Sequence, residues 1–389
     1  MKYDFDEIIP RRGTKCVKWD EEDASDCLPL WVADMDFRAA QPIQEALQHR
    51  LNHGIFAYTF PDDSYFNAAI DWFRRRHNWT IQRSDILYTT GVVPGLSACI
   101  KALSTEGDHV LLLTPVYNCF FSSVRNNKCV AQEIPLLLHG DKYVMDFEAI
   151  EQAASHPRAT LLVLCNPHNP GGRVWTREEL SRLADICARH QVRVLSDEIH
   201  CEITIPGQNY TPYATVNPSE PLASVSLCSP SKSFNIAGLQ NAFIVSRDAE
   251  VRKKIDRAIN DNETCDLNPF GIEAFIAAYN EGEEWLEQMQ QYIADNDAYF
   301  RAFFSEHLPE YPFVRLEGTY LEWINAKVTG LSSKELIDIL RREAHVLFSN
   351  GRIYGEAGEG WFRVNIACPR AILQQALERI LPVLKRLAQ

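Results

Sequence analysis

Ala223-Ser224-Val225-Ser226-Leu227-Cys228-Ser229-Pro230-Ser231-Lys232 runs from an apolar stretch of strand length straight into a turn that carries a lysine. Ser224 to Cys228 reads as a short buried strand, and open α/β sheets bind ligands just beyond the carboxyl ends of their strands. A lysine there can anchor an electrophile rather than decorate the surface. Three other strand tips carry suitable companions. Thr90-Gly91 follows Ile86-Leu87-Tyr88, Asn166 to Asn169 follows Leu161-Leu162-Val163-Leu164-Cys165, and Asp197 closes Val192-Arg193-Val194-Leu195-Ser196. Four separated segments thus offer a phosphate loop, an amide, a carboxylate and an amine to one crevice.

From about Ser84 to Arg257, strand-length apolar runs alternate with segments of helical period, the pattern of a largely parallel sheet covered on both faces. Thr176 to His190 shows the helical part: Thr176 is placed to cap, Glu179 stands three residues on, and Leu180, Leu183, Ala184 and Cys187 share one face. A long helix is predicted from about Glu284 to His307. Beyond it the chain reads as a smaller α+β region, with strands at Val314 to Leu316, Tyr320 to Asn325 and Trp361 to Ile366 and helices at Ser333 to Glu343 and Arg370 to Leu387. The expected division is an N-terminal segment 1–45, a large domain 46–283 and a small C-terminal domain 284–389.

The chain has 389 residues, 46% of them hydrophobic, enough for a large core. Its net charge of -13 opposes binding to a phosphate backbone, and no basic stretch exceeds Arg74-Arg75-Arg76, so nucleic acid is not expected as a partner. Eleven cysteines, scattered singly from Cys16 to Cys368 without a C-x-x-C pair, fit reduced thiols better than disulfides or a structural metal. Met1 to Asp6 has no apolar signal core, and no apolar run nears the ~20 residues that span a bilayer. The expectation is a cytoplasmic protein without membrane or metal.

Each candidate residue has a plain structural reading beside its chemical one. Gly91 serves either a tight turn or the backbone amides of Gly91, Val92 and Val93 as an anion cradle at a helix start. Ser229 and Ser231 are turn caps or donors to that same anion. Lys232 is a solvated lysine or, between a buried strand and Phe234-Asn235-Ile236-Ala237, a desolvated amine near neutrality that can form a Schiff base. Asp197 caps a helix or, beside a pyridine nitrogen, keeps that ring protonated as an electron acceptor.

Asn166-Pro167-His168-Asn169-Pro170-Gly171-Gly172, Ser196-Asp197-Glu198-Ile199-His200, Ser229-x-x-Lys232 and Phe362-Arg363-Val364-Asn365 stand in an order that resembles the fold-type-I pyridoxal-phosphate enzymes of the aminotransferase class, over nearly the whole chain. Within that class, Arg12-Gly13-Thr14, Lys18-Trp19-Asp20, Trp31-Val32-Ala33-Asp34-Met35-Asp36-Phe37 and Gly318-Thr319-Tyr320-Leu321 resemble the MalY/PatB group of cystathionine β-lyases.

The resemblance implies an aspartate-aminotransferase-like α/β fold and pyridoxal 5'-phosphate as cofactor. Lys232 would carry the cofactor as a Schiff base and then remove the substrate Cα proton. Asp197 would pair with the ring nitrogen, Asn169 and His200 would lie near the phenolic oxygen, and Tyr117 would stack on the ring, although an aromatic there also serves as core filler. Gly91, Val92, Val93, Ser229 and Ser231 would receive the phosphate. Gln240 departs from the family's pattern, because an arginine commonly stands eight residues after the lysine. Tyr58 would reach the phosphate in a neighbouring subunit, which implies a homodimer; its simpler role is an interface aromatic. Arg363, with Asn169 and Ala33, would hold the substrate; a surface ion pair is the alternative for the arginine. The implied reaction is α,β-elimination from a sulfur amino acid to thiol, pyruvate and ammonia. Transamination uses the same lysine, aspartate and arginine, and a regulatory protein partner of the MalY kind is a further possibility the motifs leave open.

Overall fold

The protein is described here from a computed structural model covering residues 2–20, 26–216, 222–261 and 265–389; Met1 and positions 21–25 of the N-terminal segment lie outside the described residues. Seven strands form the main sheet: β1 (Ile86–Thr89), β2 (His109–Thr114), β3 (Val130–Pro135), β4 (Ala159–Cys165), β5 (Arg193–Asp197), β6 (Val225–Cys228) and β7 (Ala242–Val245), in the order β1-β7-β6-β5-β4-β2-β3. All neighbours pair in parallel except β7, which runs antiparallel to β1 and β6. β1 therefore still points the same way as β4, β5 and β6. Their four carboxyl ends meet along one edge.

The sequence forms these elements for local reasons. Val110 to Leu113 are buried on both faces of β2, as a covered parallel strand requires. The helix Arg177–Arg189 begins with a reciprocal cap: the Thr176 hydroxyl accepts from Glu179 N, while the Glu179 carboxylate accepts from Thr176 N at 2.8 Å. It buries Leu180, Leu183, Ala184 and Cys187, and each fully buried aliphatic side chain contributes about 1.5–3 kcal/mol. The next strand delivers Asp197.

A second sheet follows the helix Glu283–His307. It comprises β8 (Leu321–Asn325), β9 (Ser349–Asn350) and β10 (Trp361–Asn365), all antiparallel, with β10 in the middle. The helix Arg370–Leu387 closes the chain. Leu28–Pro29 pairs in parallel with Val346–Leu347, so the N-terminal segment joins this part of the molecule.

One expected strand is absent. Val314 to Leu316 forms no sheet strand, although Phe313 bridges Ile324. The backbone instead crosses to the other half of the molecule: Arg315 N donates to Asp141 O at 2.6 Å, and Glu317 N and Gly318 N donate to Gly172 O at 2.8 and 3.0 Å. Gly172 offers that carbonyl from a left-handed turn with φ of 62°, which glycine adopts without strain.

The helix α1 (Val92–Leu103) packs flush on the sheet through Gly95. A Cβ there would lie 3.1 to 3.3 Å from Thr89 Cγ2, Leu227 Cδ2 and Ile244 Cδ1, on β1, β6 and β7. Gly95→Val should therefore overpack this junction and destabilise by about 1–3 kcal/mol. Thermal unfolding checks this; an unchanged midpoint would show that the contact is slack.

Candidate active site

Ser229 folds the turn after β6. Its hydroxyl donates to Asn241 O at 2.6 Å and accepts from Ser231 N at 3.0 Å. Its proton is thus spent on the protein. Among the described residues the Ser231 hydroxyl has no such partner. Lys232 follows, half-buried, with Nζ donating to Ala33 O at 2.6 Å. Burial, reinforced by the nearby charge of Arg363, brings its amine down to about 8, with Asp34 and Asp197 opposing.

Asp197 ends β5 buried at 3% exposure, and Oδ1 accepts from Ile199 N at 3.1 Å. Burial raises its carboxyl to about 7; the Ile199 N–H opposes the shift, Glu198 adds to it, and Lys232 offsets it. Glu198 points away into its own network, accepting from Ser196 Oγ at 2.9 Å and Tyr213 N at 2.8 Å. His200 is buried, its Nδ1 has no partner, and burial with the charges of Lys232 and Arg363 lowers it to about 3. The imidazole is neutral at physiological pH.

From the other sheet, Arg363 on β10 reaches across to β4. Its Nη1 donates to Asn169 Oδ1 at 3.1 Å and its Nη2 to Trp31 O at 2.7 Å, while the buried Nε is unpartnered. Lys232, Asp197, His200, Asn169 and Arg363 therefore converge, as their sequence pattern suggested. Tyr117, half-buried at the start of the helix Asn118–Asn126, belongs to the same cluster through the fields of Arg363 and Asp197.

The segment Trp31 to Phe37 straps this crevice by backbone bonds. Asn365 Nδ2 donates to Val32 O and Asp34 O, both at 2.6 Å, and the Tyr320 hydroxyl donates to Ala33 O at 2.9 Å. Asn235 exchanges bonds with Met35 and also donates to Phe37 O at 2.9 Å. Beneath the strap, buried Lys18 meets Asp36 Oδ2 at 2.6 Å and Asp34 Oδ1 at 3.6 Å, which holds its amine charged against the cost of burial. Ala33 thus enters through its carbonyl. Tyr320 and Asn235 had no assigned role in the sequence, but Asn365 lies two residues after Arg363 on a strand, and that period places both on one face.

Gly91 caps the start of α1, and Gly95 N is the first amide to bond back along the helix, to Gly91 O at 3.0 Å. The amides of Val92 and Val93 precede that bond and have no carbonyl of their own helix to meet. Tyr58 is not brought to the cluster within this chain. It stands 97% exposed, alongside Ile55, Phe56 and Phe60, which are also exposed.

The sequence pattern of the aminotransferase class I and II family matches residues 25–380. The chain belongs to that family. Cystathionine β-lyase PatB of Bacillus subtilis is 40% identical over 380 residues, covering 97% of this chain and 98% of PatB. Cystalysin of Treponema denticola, whose crystal structure contains pyridoxal 5'-phosphate, superposes with a TM-score of 0.95 at 31% identity and full coverage of both chains. The pyridoxal-phosphate-bound C-S lyase of Staphylococcus hominis gives 0.92 at 32% identity, covering 98% of this chain and 99% of that one.

The unspent groups fit that cofactor. Asp197, a buried carboxyl with one protein donor, suits a basic ring nitrogen. The unpartnered His200 Nδ1 and the Asn169 amide suit a phenolic oxygen, the α1 amides with Ser231 suit a phosphate, and Lys232 suits an aldehyde. Carbamylation of Lys232 by cyanate in cofactor-free protein should rise with pH around a midpoint near 8, because only the neutral amine reacts. Peptide mapping reads this out, and a midpoint at the ordinary lysine value of 10.5 would contradict the desolvated site.

Proposed function

We propose that this crevice binds a sulfur-bearing L-amino acid and cleaves its Cβ–S bond, with pyridoxal 5'-phosphate as cofactor. The protein is a pyridoxal-phosphate-dependent carbon–sulfur β-lyase that acts on cystathionine or related cysteine S-conjugates to give thiol, pyruvate and ammonia. The observation that carries this reading is the convergence of an amine near 8, a buried carboxyl near 7 and a buried arginine in a chain that aligns over 97% of its length, at 40% identity, with a cystathionine β-lyase.

When bound, the cofactor supplies the aldehyde that captures the substrate amine and the ring that withdraws electrons from Cα. Lys232 would hold that aldehyde, and its amine, once free, is the base placed to take the Cα proton. Its lowered pKa suits a base working near neutral pH. Asp197 holds a proton at the ring nitrogen by a charge-assisted bond. Arg363 receives the substrate α-carboxylate through its two-pronged donor set, with Asn169 beside it, and so orients the Cα–H bond toward Lys232. In the structure the carbonyls of Trp31 and Ala33 accept from Arg363 and Lys232. Tyr117 would cover the ring face, and Gly91, Val92, Val93 and Ser231 would take the phosphate, with Ser229 shaping their turn.

Tyr58 acts in trans in this proposal. Exposed at 97% beside Phe60 at 79%, it suits burial against a second copy, where its hydroxyl would complete the partner's phosphate site. The same reading puts the enzyme in the cytoplasm and, through release of homocysteine, in methionine biosynthesis. Among the described residues no helix is long and apolar enough to cross a membrane.

Cystathionine supplied without any keto acid should give pyruvate and free thiol over many turnovers, and Lys232→Ala should lower that rate by at least ~100- to 10,000-fold. Turnover that stops unless keto acid is added would establish transamination instead. Refolding Tyr58→Phe with Lys232→Ala chains should give more activity than the two parents together, since each mixed dimer has one intact site. No gain on mixing would confine Tyr58 to its own subunit or to a structural role.

A further inference from the structure

The Arg363 guanidinium lies over the ring of Tyr354, with Arg363 Cζ 5.1 Å from the ring centroid. Both side chains are buried, at 4% and 1% exposure. Hydrogen bonds to Asn169 and Trp31 fix the guanidinium only within its plane. Its face cannot hydrogen-bond, and a buried cation needs a partner there that tolerates positive charge. An aromatic ring supplies one.

The ring itself is held from two sides by the strands that flank Arg363. Ser349 on β9 and Trp323 on β8 are the register partners of Arg363. The Ser349 hydroxyl bonds the Tyr354 hydroxyl at 2.8 Å, and Trp323 meets the Tyr354 ring edge to face at 5.4 Å and 76°. The Tyr354 carbonyl accepts from Val116 N at 2.8 Å, directly before Tyr117. One residue therefore links the arginine's orientation to the segment that covers the cofactor ring.

We propose that Tyr354 is a positioning residue for the substrate α-carboxylate: its ring, oriented by Ser349 and Trp323, holds the Arg363 guanidinium in the plane that receives that group. This rests on the reading of Arg363 as the carboxylate receptor. The effect is blind to the sulfur substituent, so it sets affinity for α-amino acids as a class.

The test measures competition against lyase turnover of the holoenzyme by L-alanine, which has the carboxylate, and by ethylamine, which lacks it. Tyr354→Leu should weaken L-alanine about 10- to 30-fold, the worth of a desolvated cation–π contact, and leave ethylamine unchanged. Tyr354→Phe keeps the ring and should stay nearer wild type. Equal losses for both competitors, or none for either, would overturn the proposal. If Tyr354→Leu does not fold, Ser349→Ala decides: it should weaken L-alanine alone, about 2- to 10-fold as one lost hydrogen bond predicts, and no change would overturn the proposal. Arg363→Ala separates the two levels. Undiminished L-alanine binding in that variant would remove the carboxylate role of Arg363 and the proposal with it, whereas loss there without loss in Tyr354→Leu would remove Tyr354 alone.

Discussion

The structure is organised around a lysine amine that must be kept beside an arginine in a crevice largely closed to water. Charging Lys232 there costs desolvation and repulsion from Arg363, so its amine falls to about 8. Asp197, buried at the neighbouring strand end, is displaced the other way, to about 7. Elsewhere such burial would only cost stability. At this site it leaves an amine able to act as nucleophile and base, and a carboxyl able to share a proton with a ring nitrogen.

Holding these groups requires both sheets and the N-terminal segment. β4, β5 and β6 present Asn169, Asp197 and Lys232 along one edge because they run parallel, and α1 adds its free amides there. β10 of the second sheet contributes Arg363. The strap from Trp31 to Phe37 closes the gap, and its carbonyls meet the arginine, the lysine, Tyr320, Asn235 and Asn365. The strap is secured in turn by the buried pairing of Lys18 with Asp36. Removing one partner from such a pair leaves an uncompensated buried charge, so the N-terminal segment belongs to the site as much as the sheet does.

Local signals made much of this legible. Thr176 and Glu179 marked a helix start that the reciprocal cap bears out, and apolar runs of strand length marked the strand ends that hold Asn166, Asp197 and Ser229. Residues whose work depends on distant partners were not legible. Val314 to Leu316 has the composition of a strand, but the amides of Arg315, Glu317 and Gly318 are drawn to the carbonyls of Asp141 and Gly172, distant in the chain. Ser229 has the sequence position of an anion donor, but its hydroxyl donates to Asn241 O. Asn235 and Tyr354 carry no motif of their own and Tyr320 stands in one without a role, because each acts on a carbonyl or a cation supplied by another segment. Asn365 was readable through its strand period with Arg363.

The most direct test of the central claim is to incubate the purified protein with pyridoxal 5'-phosphate, reduce it with borohydride and map the modified peptide by mass spectrometry. The account predicts a single phosphopyridoxyl group on Lys232. A label on another lysine, or none, would contradict it.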